Sequence, residues 1–328
     1  MKPKIFLTRE LPPECMKQLE TSCELQYNQA DRYLSKAEII AGVQGMDGLM
    51  CLLTDQIDAE ILDANPDLKV VSNFAVGFNN VDVDAATARK IPVTNTPGVL
   101  TDTTADMAMA LLLAAARRVV EGDSFVRTRQ WAGWGPMQFL GADITGATLG
   151  MIGMGRIAKS VVRRAKGFDM NVVYWNRTRM DQSLEAELGV TYLPIHKLLG
   201  ESDFVSLHVA LNDQTKHLIG KRELELMKPT AVLVNTARGA VVDEKELVVA
   251  LQQGKIASVG LDVYENEPLL TPELYDLPNA VIAPHLGSAT MGTRTKMGNM
   301  AVADCLAACR GERPQNLVNP EVYEDSVS

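Results

Sequence analysis

The sequence predicts an α/β protein of two parallel-sheet domains separated by a cleft, and three observations predict it. At 328 residues the chain exceeds what one hydrophobic core usually serves. Short β-branched runs alternate with longer amphipathic segments, which implies parallel strands covered by helices on both faces. That alternation is interrupted once, between residues 102 and 146, and then starts afresh.

In the first hundred residues the strand-like runs are Lys4–Thr8, Gly48–Leu53, Lys69–Asn73 and Pro92–Asn95, with helical segments such as Pro12–Glu20 and Lys36–Ala41 between them. From Asp102 to Gln130 the chain reads as one long helical region, first alanine- and leucine-rich, then arginine-rich. Trp131–Gly146 holds two tryptophans, Pro136 and four glycines, and reads as an irregular loop. Strands resume at Thr148–Ile152, Asn171–Trp175, Asp203–His208, Ala231–Asn235, Ala257–Leu261 and Ala280–Ala283, and Gly292–Arg310 reads as a final helix. The two domains join near residue 100 and again near residue 287.

Composition narrows the function class. Hydrophobic residues make up 46% and charged residues 22%, as in an ordinary globular protein. The net charge of -9 argues against nucleic acid, whose phosphates would be repelled. It leaves room for a local basic pocket and a small anion. The longest apolar run, Met107–Ala116, is far shorter than the roughly twenty residues of a membrane span. No apolar leader follows Met1-Lys2-Pro3-Lys4. The expectation is a cytoplasmic protein with no membrane partner. Cys15, Cys23, Cys51, Cys305 and Cys309 show no CxxC or zinc spacing, so reduced core residues and no metal are expected.

The sharpest local signal is Leu149-Gly150-Met151-Ile152-Gly153-Met154-Gly155-Arg156-Ile157-Ala158, a G-x-G-x-x-A turn that follows a strand and opens a helix. Gly153 permits the tight turn, Gly155 lets the backbone approach a pyrophosphate, and small Ala158 lets helix and strand pack closely. The helix from Arg156 and Ile157 presents free N–H groups and a positive dipole end to phosphates. This predicts a Rossmann-like dinucleotide site. The next strand ends in Tyr174-Trp175-Asn176-Arg177-Thr178-Arg179. An NAD site places Asp or Glu there to bond the ribose 2′-hydroxyl. With no acid present, Asn176, Arg177, Thr178 and Arg179 suit a 2′-phosphate. NADP(H) is therefore the preferred cofactor, with NAD(H) the alternative.

Three further motifs lie just beyond strands, where open α/β sheets bind ligands: Asn235-Thr236-Ala237-Arg238-Gly239, Gly260-Leu261-Asp262-Val263-Tyr264-Glu265-Asn266-Glu267-Pro268, and Pro284-His285-Leu286-Gly287-Ser288. Reducing a keto acid needs a cation for the carboxylate and carbonyl oxygens and a proton donor beside the nicotinamide. Arg238 supplies a charged donor fork, and His285 a suitable acid. Glu267 is the carboxylate that would favour imidazolium and fix its tautomer. Taken singly, each has a structural explanation; the ordered set after a dinucleotide fold carries the chemistry.

These motifs resemble those of the D-isomer-specific 2-hydroxyacid dehydrogenases over essentially the whole chain. The resemblance implies Arg238, Glu267 and His285 as catalytic residues and Asp262 beside the nicotinamide carboxamide. Thr104 of Thr104-Ala105 would touch the cofactor, as would Thr236, Ala237 and Gly287. Ser72-Asn73-Phe74-Ala75-Val76-Gly77-Phe78-Asn79-Asn80-Val81-Asp82 matches the family's S-x-x-x-G-x-[DN]-x-[VI]-D signature. It implies that backbone around Val76 and Gly77 holds the substrate carboxylate, with Leu52 and Ala75 shaping the pocket. The resemblance also implies a flavodoxin-like substrate domain from residues 1–100 and 288–328. The dinucleotide-binding domain, 101–287, is inserted between, and a dimerisation arm around 102–146 makes a homodimer.

Within the family the nearest likeness is to glyoxylate/hydroxypyruvate reductases, through Thr101–Ala105, Trp131–Trp134 and Leu286–Thr290. Ala158 departs from their usual glycine. Another D-2-hydroxy acid, such as lactate, glycerate or phosphoglycerate, is the alternative substrate. The chain end at Ser328 leaves no room for the regulatory domain that phosphoglycerate enzymes often carry. Phosphite fits less well, because Val76 stands where a lysine is expected. A corepressor-like scaffold that senses nicotinamide without turnover is the remaining alternative.

Overall fold

The β-branched runs pair into two sheets in the computed structural model, which describes residues 2–30 and 32–326. One unit comprises residues up to Leu100 and from Thr290 onward, the other Thr101–Ala289. In the first, strands β1 (Lys4–Leu7), β2 (Glu24–Tyr27), β3 (Gly48–Leu52), β4 (Val70–Phe74) and β5 (Val93–Thr94) alternate with helices α1 (Pro13–Ser22), α2 (Lys36–Val43), α3 (Ala59–Asp63) and α4 (Val83–Ala88). The sheet order is β2-β1-β3-β4-β5 and every pairing is parallel, the flavodoxin-like winding. Short helices start where the sequence caps them. Ser35 and Glu38 form a capping box on α2, and Asp58 and Asp82 cap α3 and α4.

The second unit opens with α5 (Thr101–Ala116) and α6 (Val119–Arg127). Then follow β6 (Thr148–Ile152), α7 (Arg156–Lys166), β7 (Asn171–Trp175), α8 (Gln182–Leu188), β8 (Val190–Tyr192), α9 (Ile195–Glu201), β9 (Phe204–Leu207), α10 (Lys221–Leu226), β10 (Val232–Asn235), α11 (Glu244–Gln252), β11 (Ser258–Leu261) and β12 (Ala280–Ile282). Its order, β12-β11-β10-β9-β6-β7-β8, is the Rossmann order with a seventh strand, and its switch point lies between β6 and β9. One face is covered by α5 and α7 through Ala105, Leu112, Val161 and Val162. Val205, Leu233, Leu247 and Leu251 belong to a second core. A last helix, α12 (Met291–Cys309), returns to the first unit, where Ser72 Oγ donates to Ala301 O at 2.9 Å. All five cysteines are buried and free. Among the described residues no helix is long and apolar enough to cross a membrane.

The secondary structure differs from the expectation in two places. The long helical region is two helices, broken where Arg118 turns left-handed at φ 53°. The chain returns through Gly141, whose missing Cβ lets the backbone reach Ala116, and Ala142 N–H donates to Ala116 O at 2.9 Å. That bond satisfies a carbonyl at the end of α5. Strands β2 and β8 had no signal of their own. Both are edge strands with one neighbour, and β2 shows half-exposed alternation instead of an apolar run.

Candidate active site

The first turn of the second unit is shaped by two glycines with different tasks. Gly153 follows β6 with φ 92°, and a Cβ there would stand 2.5 Å from the carbonyl of His208 after β9. Only glycine combines that left-handed backbone with so close an approach. Gly155 caps α7, and a Cβ on it would meet no protein atom within 4 Å. The space above Gly155 is therefore open, at a helix start with no acidic side chain in its first turn. Ala158 is fully buried against the sheet. The residues fit a dinucleotide: a glycine-lined cradle at a helix N-terminus for phosphate, and at the end of β10 a buried Thr236 hydroxyl with no partner among the described residues.

Three strand-end loops of the same unit carry the candidate reactive groups. Beyond β10, Asn235 closes a turn by accepting from Ala237 N–H at 3.0 Å and donating to Arg238 O at 2.9 Å. Gly239 follows because its Cβ position is occupied by the Tyr264–Glu265 backbone. The arginine loop and the glutamate loop thus lie in direct contact. Burial pulls the Arg238 guanidinium down from its usual value, and the Glu267 charge opposes that pull; an arginine remains a cation regardless.

Glu267 Oε1 accepts Tyr264 N–H at 3.0 Å, and Oε2 meets His285 Nδ1 at 2.8 Å. Burial alone would raise the Glu267 carboxyl. The His285 hydrogen bond and charge, the Tyr264 amide and the Arg238 charge outweigh it and leave the group below its ordinary value. With Nδ1 committed to the carboxylate, Nε2 is the nitrogen left for a substrate. His285 has φ 55°, and its loop is clamped by Asp262. The two oxygens of Asp262 accept Leu286 N–H at 2.6 Å and Gly287 N–H at 2.7 Å. Burial raises the Asp262 carboxyl in spite of those bonds. Thr104 Oγ1 donates to Gly287 O at 3.1 Å from α5. A cation, a carboxylate-backed imidazole and a phosphate cradle thus share one edge of one sheet.

Residues 109–287 match the model of the D-isomer specific 2-hydroxyacid dehydrogenase, NAD binding domain. The chain belongs to the D-isomer-specific 2-hydroxyacid dehydrogenases. It is an NAD(P)-dependent oxidoreductase. It is 52% identical over 326 residues to a glyoxylate reductase of Korarchaeum cryptofilum, covering 99% of this chain and 98% of the relative. It is 48% identical over 330 residues to the glyoxylate reductase of Thermococcus litoralis, covering 99% of each. Its fold resembles an NADPH-dependent glyoxylate/hydroxypyruvate reductase from Sinorhizobium meliloti, solved with NADP and malonate, at TM-score 0.85, 32% identity and 97% coverage of each chain.

In this dehydrogenase the loop after β7 departs from the sequence reading. Arg179 is already engaged: its Nε and Nη2 grip Glu185 at 2.8 and 2.7 Å and its guanidinium lies 5.4 Å from the Tyr192 ring centre. A buried carboxylate six residues on wins the arginine, and Tyr174 O–H donates to the same Glu185 at 2.6 Å. Asn176 Oδ1 accepts Met154 N–H at 2.8 Å, so this side chain buttresses the glycine turn. Arg177 is exposed and bonds Gln214 at 2.9 Å, and Thr178 is exposed beside it.

In the first unit, asparagines fix the signature loop. Asn95 donates to Val76 O at 2.7 Å and Asn73 to Gly77 O at 3.1 Å, while Asn80 donates to Leu52 O at 3.0 Å. Asp55 accepts Leu52 N–H at 2.8 Å from the other side. Ala75 is buried. The carbonyls of Val76 and Gly77 are consumed, and their N–H groups have no protein partner among the described residues. Sequence reasoning missed Asn95 and Tyr264, whose partners lie 19 positions away, and Asp55, whose bond to Leu52 N–H spans three positions and forms no motif.

A cavity of about 680 Å³ lies elsewhere in the second unit, bordered by Leu140, Asp143, Asp203, Thr230, Ser258 and Asn279. Asp203, Thr230 and Asn279 precede strands, so the cavity is at their N-terminal ends, away from Arg238, Glu267 and His285. Chemistry in open parallel sheets occurs at the opposite, C-terminal ends, and size does not override that placement.

Proposed function

We propose that this dehydrogenase reduces small 2-keto acids, glyoxylate and hydroxypyruvate, to 2-hydroxy acids, with NADP(H) preferred to NAD(H). The observation that carries the reading is the 2.8 Å contact between His285 Nδ1 and Glu267. It directs Nε2 outward as the proton donor. The names of the relatives, glyoxylate reductase among them, support the substrate class. Bound reduced nicotinamide supplies the hydride. Arg238 then binds the carbonyl oxygen, where charge develops, from a partly dry position that strengthens its field. His285 delivers a proton to that oxygen, and Glu267 fixes the orientation of the ring through Nδ1. Asp262 holds the His285 loop in register. In the first unit, the N–H groups of Val76 and Gly77 are suited to a carboxylate.

For the cofactor, Arg177 and Thr178 are the groups for a 2′-phosphate, with Asn176 leaving no acid to repel it. We also propose a homodimer through the arm. Trp134 and Met137 are 83% and 77% exposed, and apolar side chains in such number on one segment mark an interface. Reduced, buried thiols suit a cytoplasmic protein.

The test is a kcat/KM panel of glyoxylate, hydroxypyruvate and pyruvate with NADPH and NADH. It is run on the wild type, His285→Ala and Arg177→Ala. His285→Ala should lose roughly two to four orders of magnitude in kcat with NADPH binding unchanged. Arg177→Ala should weaken NADPH about tenfold and spare NADH. No turnover with any acid, or a His285→Ala rate equal to wild type, overturns the reading.

A further inference from the structure

Glu244, the first residue of α11, is 3% exposed, and no step above uses it. Its Oε1 accepts Glu265 N–H at 2.5 Å. Its Oε2 accepts Thr271 N–H at 3.1 Å and the Thr271 hydroxyl at 2.9 Å. One carboxylate therefore holds both ends of the loop 265–271, and Glu267 stands between those ends. We propose that Glu244 is a positioning residue for the Glu267–His285 pair, fixing this loop so that the Glu267 carboxylate meets His285 Nδ1. The proposal rests on the reading of that pair as the acid–base couple.

The two ends of the loop are not anchored equally. Its start is held several times over. The Tyr264–Glu265 backbone lies against Gly239, Tyr264 O–H donates to Ala283 O at 2.8 Å, and Glu265 Oε1 meets His217 Nε2 at 2.6 Å. Inside it, Leu269 N–H donates to Asn266 O at 2.9 Å. At the far end, Thr271 O accepts Leu274 N–H at 3.0 Å and Leu270 packs on the core, while the bonds of Thr271 N–H and hydroxyl both go to Glu244. Freeing that end would let Glu267 drift, and misplacement of about 1 Å can cost a large rate factor.

The chemistry of the site explains why a carboxylate stands there. Donors approach both oxygens, so both must accept. An amide of the same shape would turn an NH2 group toward an N–H. The start of α11 also favours an anion through the helix dipole. The groups facing His285 are Glu267, Asp262 through the Leu286 and Gly287 amides, Arg238 by its charge on Glu267, and Tyr264 through Ala283. Glu244→Gln also removes a charge that acts on Tyr264, whereas Thr271→Val removes none, so a shift of the pH profile shared by both variants would report movement of Glu267.

The experiment compares wild type, Glu244→Gln, Thr271→Val and Glu267→Gln in the full chain. It follows glyoxylate reduction by NADPH between about pH 5 and 10, NADPH binding by fluorescence, and amide exchange of residues 264–271. Glu244→Gln should lower kcat about tenfold with NADPH affinity within about twofold. Its alkaline limb should move down by about half a pH unit or more, in the direction of Glu267→Gln. The Thr271 amide should lose exchange protection. Thr271→Val deletes only the hydroxyl bond and should shift the limb the same way by less, which keeps the proposal testable if Glu244→Gln does not fold. An unmoved profile in a folded Glu244→Gln or, failing that, in Thr271→Val, while Glu267→Gln shifts, overturns the role of Glu244 and leaves the pair standing. An unmoved profile in Glu267→Gln instead overturns the acid–base reading itself.

Discussion

After β1 the chain turns through Thr8–Pro12 into α1, and after β6 it turns through Gly153–Gly155 into α7. Both turns leave the first strand of a doubly wound parallel sheet, and only the second leaves room for an anion. In the first, Leu11 is buried and its N–H meets Met16 Sδ at 3.4 Å. Pro13 removes a donor from the helix start, and Glu14 adds a negative charge there. In the second, the cap is Gly155, no acid stands in the first turn, and Arg156 follows. Sheet topology thus sets where a ligand could bind; the side chains of one turn decide whether it does.

The largest test of this contrast is Gly155→Val. The new side chain meets no protein atom near its Cβ, so melting should be nearly unchanged while dinucleotide affinity falls about a hundredfold or more, roughly 2.7 kcal/mol. Retained affinity by titration calorimetry would mean that phosphate sits elsewhere. The matching change in the first turn, Leu11→Ala, should do the reverse. It should cost about 2–4 kcal/mol of stability to chemical denaturation and leave cofactor affinity alone.

A third test, confined to acid pH, concerns His208, whose carbonyl faces Gly153. Burial holds its imidazole neutral, pushed down to about 4 from 6.5. Between those values the unfolded chain takes up a proton that the folded chain refuses, so stability present above about pH 6.5 falls as pH drops toward 4. His208→Gln should flatten the decline of melting temperature over that window. A parallel decline in both proteins would place the acid sensitivity elsewhere.

Much of this was legible because it is local. Gly153, Gly155 and Ala158 announce a turn within six residues, and Asn235, Arg238 and Gly239 do so within five. The strand ends that carry Arg238, Glu267 and His285 follow from alternation alone. Strand β2 was not legible, since an edge strand of four residues with a half-exposed pattern lacks the apolar run that marks a central one. The loop after β7 was legible in composition and not in use: two arginines stand there, and a buried glutamate takes one.

The sequence by itself determined the family, the alternation of elements, the glycine turn and which side chains are candidates for the chemistry. Each depends on residue type at short spacing, where backbone conformation and turn chemistry act directly. The tertiary structure alone decided which polar groups are spent on holding the fold and which remain for a ligand. Asn176 goes to Met154, Arg179 to Glu185, Asp262 to the His285 loop and Glu244 to both ends of the Glu267 loop. A buried hydrogen-bonding group takes whatever partner the packing brings within about 3 Å, and the sequence distance to that partner, 21 and 27 residues for Glu244, carries no local signal.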